Sequence, residues 1–430
     1  MSQSFIIEGG KTLKGCINVF GSKNATTPIL AATLLSREPS TISNLPLIED
    51  VLNLLNIIES LGAKITWIND RTVKIDPKNL NQKNLNQKLI KSIRSSVLLI
   101  GPLCTRFKKF KLMQPGGCLI GVRPIDAHLE ALRDLGLKTT TVSNFYEFNF
   151  KSKKTPTTIV LKEFSVTATE NILMLAATLP QKTIIKIAAI EPHVIDLVTF
   201  LNKMGANIKQ LPNHCFEIIG NPKLKGVKNH EIIPDPIEAG SFIIMAAACK
   251  ANITIKNVRL DHLEIVLKKL KEFNVDLKFK LQDEKRNLYS VTNIPSLILK
   301  AVSKVQTLPY PGIPTDLQSM FGILATQALG TTIIQDPMYE GRLKYIDELI
   351  KMGANAIIAD PHRALIVGPT PLYGQEIHSF DLRAGMCLII AALLSKGETK
   401  ISNIYQVDRG YEKIDARLIK LGAQIKRVDI

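Results

Sequence analysis

The chain has 430 residues, 45% of them hydrophobic and only 6% aromatic, and a formal net charge of +17. That length suggests two or three domains with aliphatic cores. The opening MSQSFIIEGGKTLKG turns polar too early for a signal peptide, and the longest apolar runs, such as MCLIIAALL, are too short to span a bilayer, so a cytoplasmic protein without membrane insertion is expected.

Six cysteines (Cys16, Cys104, Cys118, Cys215, Cys249 and Cys387) form no CxxC, and seven histidines form no HExxH. Reduced thiols, no metal site and no cofactor are therefore expected. Lysines are spread along the whole length without interleaved aromatics. This suits small anionic substrates better than a specific nucleic acid.

In chain order, FIIEGGKTLKGCINVF offers strand material, and GSKNA then opens the apolar helix NATTPILAATLL, followed by the strand candidate STISNL. The same succession of buried helix and strand recurs as SSVLLIGPLCT and KFKLMQ, TENILMLAATLP and KTIIKI, AGSFIIMAAACK and ANITIKNV, LQSMFGILATQAL and GTTIIQD, AGMCLIIAALLS and ETKISNI. Between these pairs a helix-end signature returns in IESLGAKI, LRDLGLKT, LNKMGANI, LKEFNVDL, LIKMGANA and LIKLGAQI. Its Gly, or Asn in one copy, falls at 62, 136, 205, 274, 353 and 422. Gly or Asn there predicts a left-handed helix cap followed by a strand.

These repeats define six units of about 70 residues. Helices apolar on most of their surface belong inside, with sheets outside. The expected class is α/β, in two domains of three units each. FIIEGGKTLKGCINVFGSKN looks like NPKLKGVKNHEIIPDPIEAG, so residues 1–20 are expected to supply strands to the C-terminal half, with a crossover near the prolines of EIIPDP. The boundaries expected are 21–232 for one domain and 1–20 plus 233–430 for the other.

Polar residues gather at the starts of the buried helices: Lys23 and Asn24 in GSKNA, Arg94 in KSIRSS, Asp381 and Arg383 in DLRAG. A helix N-terminus suits phosphate or carboxylate, although ordinary capping is the bland alternative. Loops contribute Cys118, Arg123, Asp126, Glu191, Arg342 and Arg409. In QPGGCLIGVRP, Cys118 reads either as a ligand-facing thiol or as an incidental loop cysteine. Asp316, in PYPGIPTDLQ, reads as a base for a hydroxyl group or as an N-cap. No GxSxG, GxGxxG or Walker loop is present.

The stretches LKGCINVFGSKNATTPILAATLL, KSIRSSVLLIGPL, MQPGGCLIGVRPIDAHLEAL, EPHVIDLVTFLNKMGA, PTDLQSMF, FDLRAGMCLIIAAL and QVDRGYEKIDARLIKLGA run from about residue 6 to residue 427. Together they closely resemble the UDP-N-acetylglucosamine 1-carboxyvinyltransferase family, the enolpyruvyl transferases of early peptidoglycan synthesis. The resemblance implies a two-domain inside-out α/β barrel of six units, three per domain, with the active site in the interdomain cleft. It implies transfer of the enolpyruvyl group of phosphoenolpyruvate to the 3-hydroxyl of UDP-N-acetylglucosamine, in a monomer, in service of cell-wall construction and hence cell shape and division.

By motif match, Cys118 is the thiol associated with protonating the enolpyruvate methylene, and the target of fosfomycin. Asp316 matches the residue proposed to deprotonate the sugar hydroxyl. Lys23, Arg123 and Arg409 match residues around the phosphate and carboxylate of phosphoenolpyruvate, with Arg94 and Arg383 in support. Asn24 matches a sugar contact, and Arg342 and Asp381 match residues that order the site. Ser165, Val166 and Thr167 match the uridine-diphosphate segment, with Pro124, Ile125, Asp126 and His128.

Four positions depart from the family's pattern. Thr167 stands where SVGAT has glycine, Glu163 where a basic residue is usual, Gly341 in place of Asn, and Tyr310 before a proline. The shikimate-pathway enolpyruvyl transferase shares fold and chemistry but lacks PGGCxIGxRPxDxH. A noncatalytic polyanion binder is the alternative from another class.

Overall fold

The computed structural model describes residues 3–116 and 124–429. They fall into two compact units, one of residues 21–116 and 124–233, the other of residues 3–20 and 234–429. Both mix sheets and helices.

The unit of residues 21–233 holds three sheets. His230–Glu231, Ser40–Ser43, Thr72–Asp76 and Lys64–Asn69 lie side by side in that order, as do Asn207–Leu211, Cys215–Ile219, Lys182–Lys186 and Thr157–Val160. The third sheet has only Lys109–Met113, Phe145–Phe150 and Leu137–Val142. The helices Lys23–Ala32, Ile100–Arg106 and Val166–Ala176 lie within the buried apolar core of this unit. In all three the residues are almost entirely shielded, as all-round Ala, Leu and Ile composition requires.

The second repeat differs from its siblings. Its inner helix is broken, with the 3-10 segment Arg94–Leu99 running into Ile100–Arg106. Pro102 lacks a backbone N–H, and Gly101 lies so close to the Val166–Ala176 helix that a Cβ there would sit 2.7 Å from the Asn171 carbonyl oxygen. The Gly101 N–H donates to Asn171 Oδ1 at 2.8 Å.

The other unit also holds three sheets, around the helices Pro236–Ala248, Gln318–Ala325 and Leu382–Leu394, which pack on one another. Gln3–Glu8 lies between Glu398–Ser402 and Gln424–Asp429, antiparallel to both. Lys14–Asn18 runs parallel to Asn252–Val258. The chain therefore starts in the sheets of its C-terminal half. Arg417 anchors the end of that opening segment: it donates to Glu238 Oε1 and to the Asn18 carbonyl, each at 2.6 Å, and lies over the Phe20 ring at 4.4 Å.

All six helix-end positions have left-handed backbone: φ is 100° at Gly62, 108° at Gly136, 105° at Gly205, 64° at Asn274, 101° at Gly353 and 103° at Gly422. An edge strand follows each, because the cap turns the chain back along the outer layer. Among the described residues no helix is long and apolar enough to cross a membrane.

Candidate active site

In the unit of residues 21–233, Ser22 caps the Lys23–Ala32 helix through its Oγ, which accepts from the Ala25 N–H at 3.3 Å. Lys23 is thereby the first helical residue, and its Nζ lies 2.7 Å from Asp50 Oδ2 with both side chains buried. Asp50 comes from the first turn of Glu49–Ser60. Asn24 is half-buried beside Lys23. A buried lysine fixed by a carboxylate presents a cation of defined position, which a solvated lysine would not.

Arg94 begins the 3-10 segment, and its Nη2 points to the Pro124 carbonyl at 3.4 Å. Ile125 is buried and Asp126 opens the helix Asp126–Asp134. Burial pushes the nearby Tyr146 phenol up, with the Asp126 charge adding to this and Arg94 opposing it. One turn into that helix, His128 Nε2 lies 2.7 Å from Thr167 Oγ1.

Thr167 is the second residue of Val166–Ala176, with Ser165 at the cap position but making no side-chain cap bond. That end of the helix offers backbone N–H groups and the positive end of the dipole. Glu163 is exposed. Deeper on the same helix, Glu170 is fully buried, and burial first, then the Glu191 carboxylate, hold its pKa well above the usual carboxylate range.

In the other unit, Asp316 lies within the 3-10 turn Thr315–Leu317, while Leu317 occupies the cap position of Gln318–Ala325. The N-cap reading of Asp316 is thus corrected, because its carboxylate turns to two guanidinium groups. Arg342 Nη2 donates to Oδ1 at 2.5 Å and Arg383 Nε to Oδ2 at 3.2 Å. Arg342 also faces Asp381 Oδ1 at 3.5 Å and donates to Thr315 Oγ1 at 3.2 Å. Thr315 in turn donates to Asp336.

Asp381 caps Leu382–Leu394, accepting from the N–H groups of Arg383 at 2.8 Å and Ala384 at 3.1 Å. Burial alone would lower the pKa of both arginines. Asp316, Asp381 and Asp336 outweigh it at Arg342, and Asp316, Tyr411 and Asp235 at Arg383. Both guanidinium groups remain charged, and the Asp316 carboxylate is a fixed acceptor.

Arg409 is buried at the end of the short helix Tyr405–Asp408, with Nη1 donating to Gln406 Oε1 at 3.0 Å. Tyr310 and Gly341 are half-buried. Cys118 and Arg123 lie outside the described residues.

The structure thus joins Asp316, Arg342, Asp381 and Arg383 in one network, Lys23 to Asp50, and His128 to Thr167. Asp50, Thr315, Asp336 and Tyr411 were not singled out from sequence. Thr315 and Tyr411 stand inside motifs already noted, PTD and DRGYE, so proximity to Asp316 and Arg409 was the available signal.

The family described as EPSP synthase (3-phosphoshikimate 1-carboxyvinyltransferase) matches residues 7–418. A UDP-N-acetylglucosamine 1-carboxyvinyltransferase of Halothermothrix orenii is 42% identical over 99% of both chains. One from Finegoldia magna is 38% identical over 97% of both. Among solved structures, the enolpyruvyl transferase NikO from Streptomyces tendae superposes with a TM-score of 0.89 at 24% identity, covering 99% of each chain; that likeness concerns the fold.

Proposed function

The chain belongs to the EPSP synthase family, and from that premise we propose that it works as a UDP-N-acetylglucosamine 1-carboxyvinyltransferase. It transfers the enolpyruvyl group of phosphoenolpyruvate to the 3-hydroxyl of UDP-N-acetylglucosamine and releases phosphate, in peptidoglycan synthesis. Full-length likeness to the two named transferases carries this reading. The loop QPGGCLIGVRP separates it from the shikimate-pathway activity.

Asp316 takes the proton of the sugar hydroxyl as its oxygen attacks C2 of phosphoenolpyruvate. The Cys118 thiol gives a proton to the methylene carbon, so the addition product carries sugar, phosphate and a methyl group on one carbon. Elimination then removes a methyl proton and breaks the carbon–oxygen bond to phosphate. Lys23, Arg123 and Arg409, with Arg94 and Arg383, neutralise the phosphate and carboxylate where charge develops. Asn24 holds the sugar, while Arg342 and Asp381 order Asp316. Ser165, Val166, Thr167, Pro124, Ile125, Asp126 and His128 hold the uridine diphosphate, with helix N–H groups suited to its anionic oxygens.

The finer architecture is the two-domain inside-out α/β barrel, residues 21–232 in one lobe and 1–20 with 233–430 in the other, both lobes supplying residues to one reaction. The protein acts in the cytoplasm as a monomer, without cofactor or metal.

Phosphate release from phosphoenolpyruvate, measured with each acceptor in turn, tests this. UDP-N-acetylglucosamine supports release and shikimate 3-phosphate does not. The opposite preference would overturn the assignment.

A further inference from the structure

Tyr411 does not belong to the proton-transfer or substrate-holding set above, yet it is completely buried and touches residues of two inner helices, Pro236–Ala248 and Leu382–Leu394. Its ring lies under the Arg383 guanidinium, 5.3 Å from ring centroid to Cζ. Its hydroxyl lies 2.8 Å from Ser241 Oγ, on the Pro236–Ala248 helix.

Ser241 has one hydroxyl proton, and it goes to the Ile237 carbonyl at 2.8 Å. Tyr411 is therefore the donor to Ser241, and its own oxygen lone pairs are left facing the guanidinium side. Burial pushes the phenol up, with Arg383 and Ser241 only partly opposing this, so the hydroxyl keeps its proton at working pH.

Chain geometry brings the ring into place. Gly410 lies so close to the Leu382–Leu394 helix that a Cβ there would sit 2.4 Å from Leu382 Cδ1. A larger residue there requires the Leu382 side chain to shift, and Tyr411 follows directly. On its other side Arg383 reaches Asp316 through Nε at 3.2 Å. A chain of contacts thus runs from the Ile237 carbonyl through Ser241, Tyr411 and Arg383 to the Asp316 carboxylate.

We infer that Tyr411, held by Ser241, is a positioning residue that fixes the Arg383 guanidinium against Asp316. This rests on the reading of Asp316 as the group that takes the acceptor proton. A flat cation over an aromatic face is restrained in tilt, and the hydroxyl restrains the ring in turn. Arg383 buried without this support is free to rotate Nε away from Asp316.

The test is steady-state phosphate release across pH for Tyr411→Phe, Tyr411→Leu and Ser241→Ala, with melting temperatures on the same samples. Tyr411→Phe keeps the ring and loses the hydroxyl; kcat falls about tenfold, the scale of one buried hydrogen bond, while KM for UDP-N-acetylglucosamine stays within about twofold. The acid limb of the kcat profile moves to higher pH, because Asp316 has lost part of its cationic neighbour while Arg342 remains. Ser241→Ala gives a smaller change of the same kind, and Tyr411→Leu a larger one.

Wild-type kcat and an unmoved acid limb in Tyr411→Phe and Ser241→Ala would overturn the inference. So would a fall in kcat that follows melting temperature with the limb unmoved, since that marks a merely structural role. Failure of the wild-type chain to release phosphate with UDP-N-acetylglucosamine would instead overturn the functional reading, and this inference with it.

Discussion

His128 Nε2 and Thr167 Oγ1 lie 2.7 Å apart, joining the first turns of the Asp126–Asp134 and Val166–Ala176 helices. Thr167 is the residue that replaces the glycine of SVGAT, so the departure does more than add bulk. It supplies a hydroxyl partner to a buried imidazole in the segment proposed to hold the nucleotide.

Thr167→Gly therefore releases His128 toward UDP-N-acetylglucosamine and opens the helix N-terminus. KM for the nucleotide sugar falls by between about twofold and tenfold with kcat unchanged, the range expected for one hydrogen bond regained by ligand. Thr167→Val keeps the bulk and removes the 2.7 Å contact to Nε2, so its KM does not improve and its melting temperature drops. Unchanged KM in Thr167→Gly would show that the pair has no bearing on the nucleotide site.

Asp316→Ala removes the acceptor between Arg342 and Arg383. Turnover falls by about 10²–10⁴-fold, the usual contribution of a positioned base. Binding of UDP-N-acetylglucosamine, followed by calorimetry, stays within a few-fold. Stability falls too, because two buried guanidinium groups lose a shared carboxylate. The carboxylate's side chain is a quarter exposed, so this loss is discounted to about 1–3 kcal/mol. A variant that melts lower but turns over normally would exclude Asp316 as the base.

Glu170 carries a pH signature of its own. Its folded pKa is raised, by burial first and by Glu191 second. The folded chain therefore holds a proton that the unfolded chain releases above the usual carboxylate range. The stability it contributes is fully present below that range and is lost as pH rises toward the folded pKa. Glu170→Gln replaces the protonated acid with a neutral isostere. Its melting temperature exceeds that of the parent by roughly 2–4 °C at pH 8, and the gain disappears near pH 4. An equal gain at both pH values would mean that Glu170 does not titrate with folding.

The parts of this fold that could be read from the chain are those set by local rules. Gly62, Gly136, Gly205, Asn274, Gly353 and Gly422 each occupy a left-handed cap, because only such residues tolerate that backbone without strain. The inner helices were legible for the same kind of reason, since a helix apolar all round has nowhere to go but inside. Pairings across long sequence separations were not. Asp50 reads from sequence as a carboxylate favouring its own helix dipole, and nothing local points to Lys23, 27 positions earlier. Thr315 with Asp336 depends on where the strand Gly330–Gln335 ends beside the 3-10 turn, and Ser241 with Tyr411 on which loop meets the Pro236–Ala248 helix. The break in the second inner helix follows from Gly101 meeting Asn171, a contact between two different repeats.

The cysteines separate by environment. Burial pushes the Cys249 thiol up to about 12, and Cys104 and Cys387 are raised well above the ordinary thiol range, Cys387 with help from the Asp381 charge. At pH 8 a thiol of pKa 12 is ionised to only about one part in 10⁴, and the thiolate is the nucleophile. Cys104 and Cys387, which are buried, therefore stay silent toward iodoacetamide in the folded protein, and Cys249, half-buried but with its thiol held protonated, reacts slowly. Cys16 is exposed and Cys215 half-buried, so reagent reaches both ahead of the buried thiols. On the proposed reading of its loop, Cys118 reacts fastest, because positive charge from the substrate-holding arginines favours its thiolate. Fosfomycin adds one molecule per chain there, and more quickly with UDP-N-acetylglucosamine present. Peptide mass mapping after substoichiometric exposure reads the order directly. Labelling of Cys104, Cys249 or Cys387 before Cys118 would contradict both the burial argument and the role given to the loop. Cys118→Asp separates proton transfer from nucleophilicity: its carboxylic acid still supplies a proton, so some turnover persists, but it forms no stable thioether and the drug no longer inactivates.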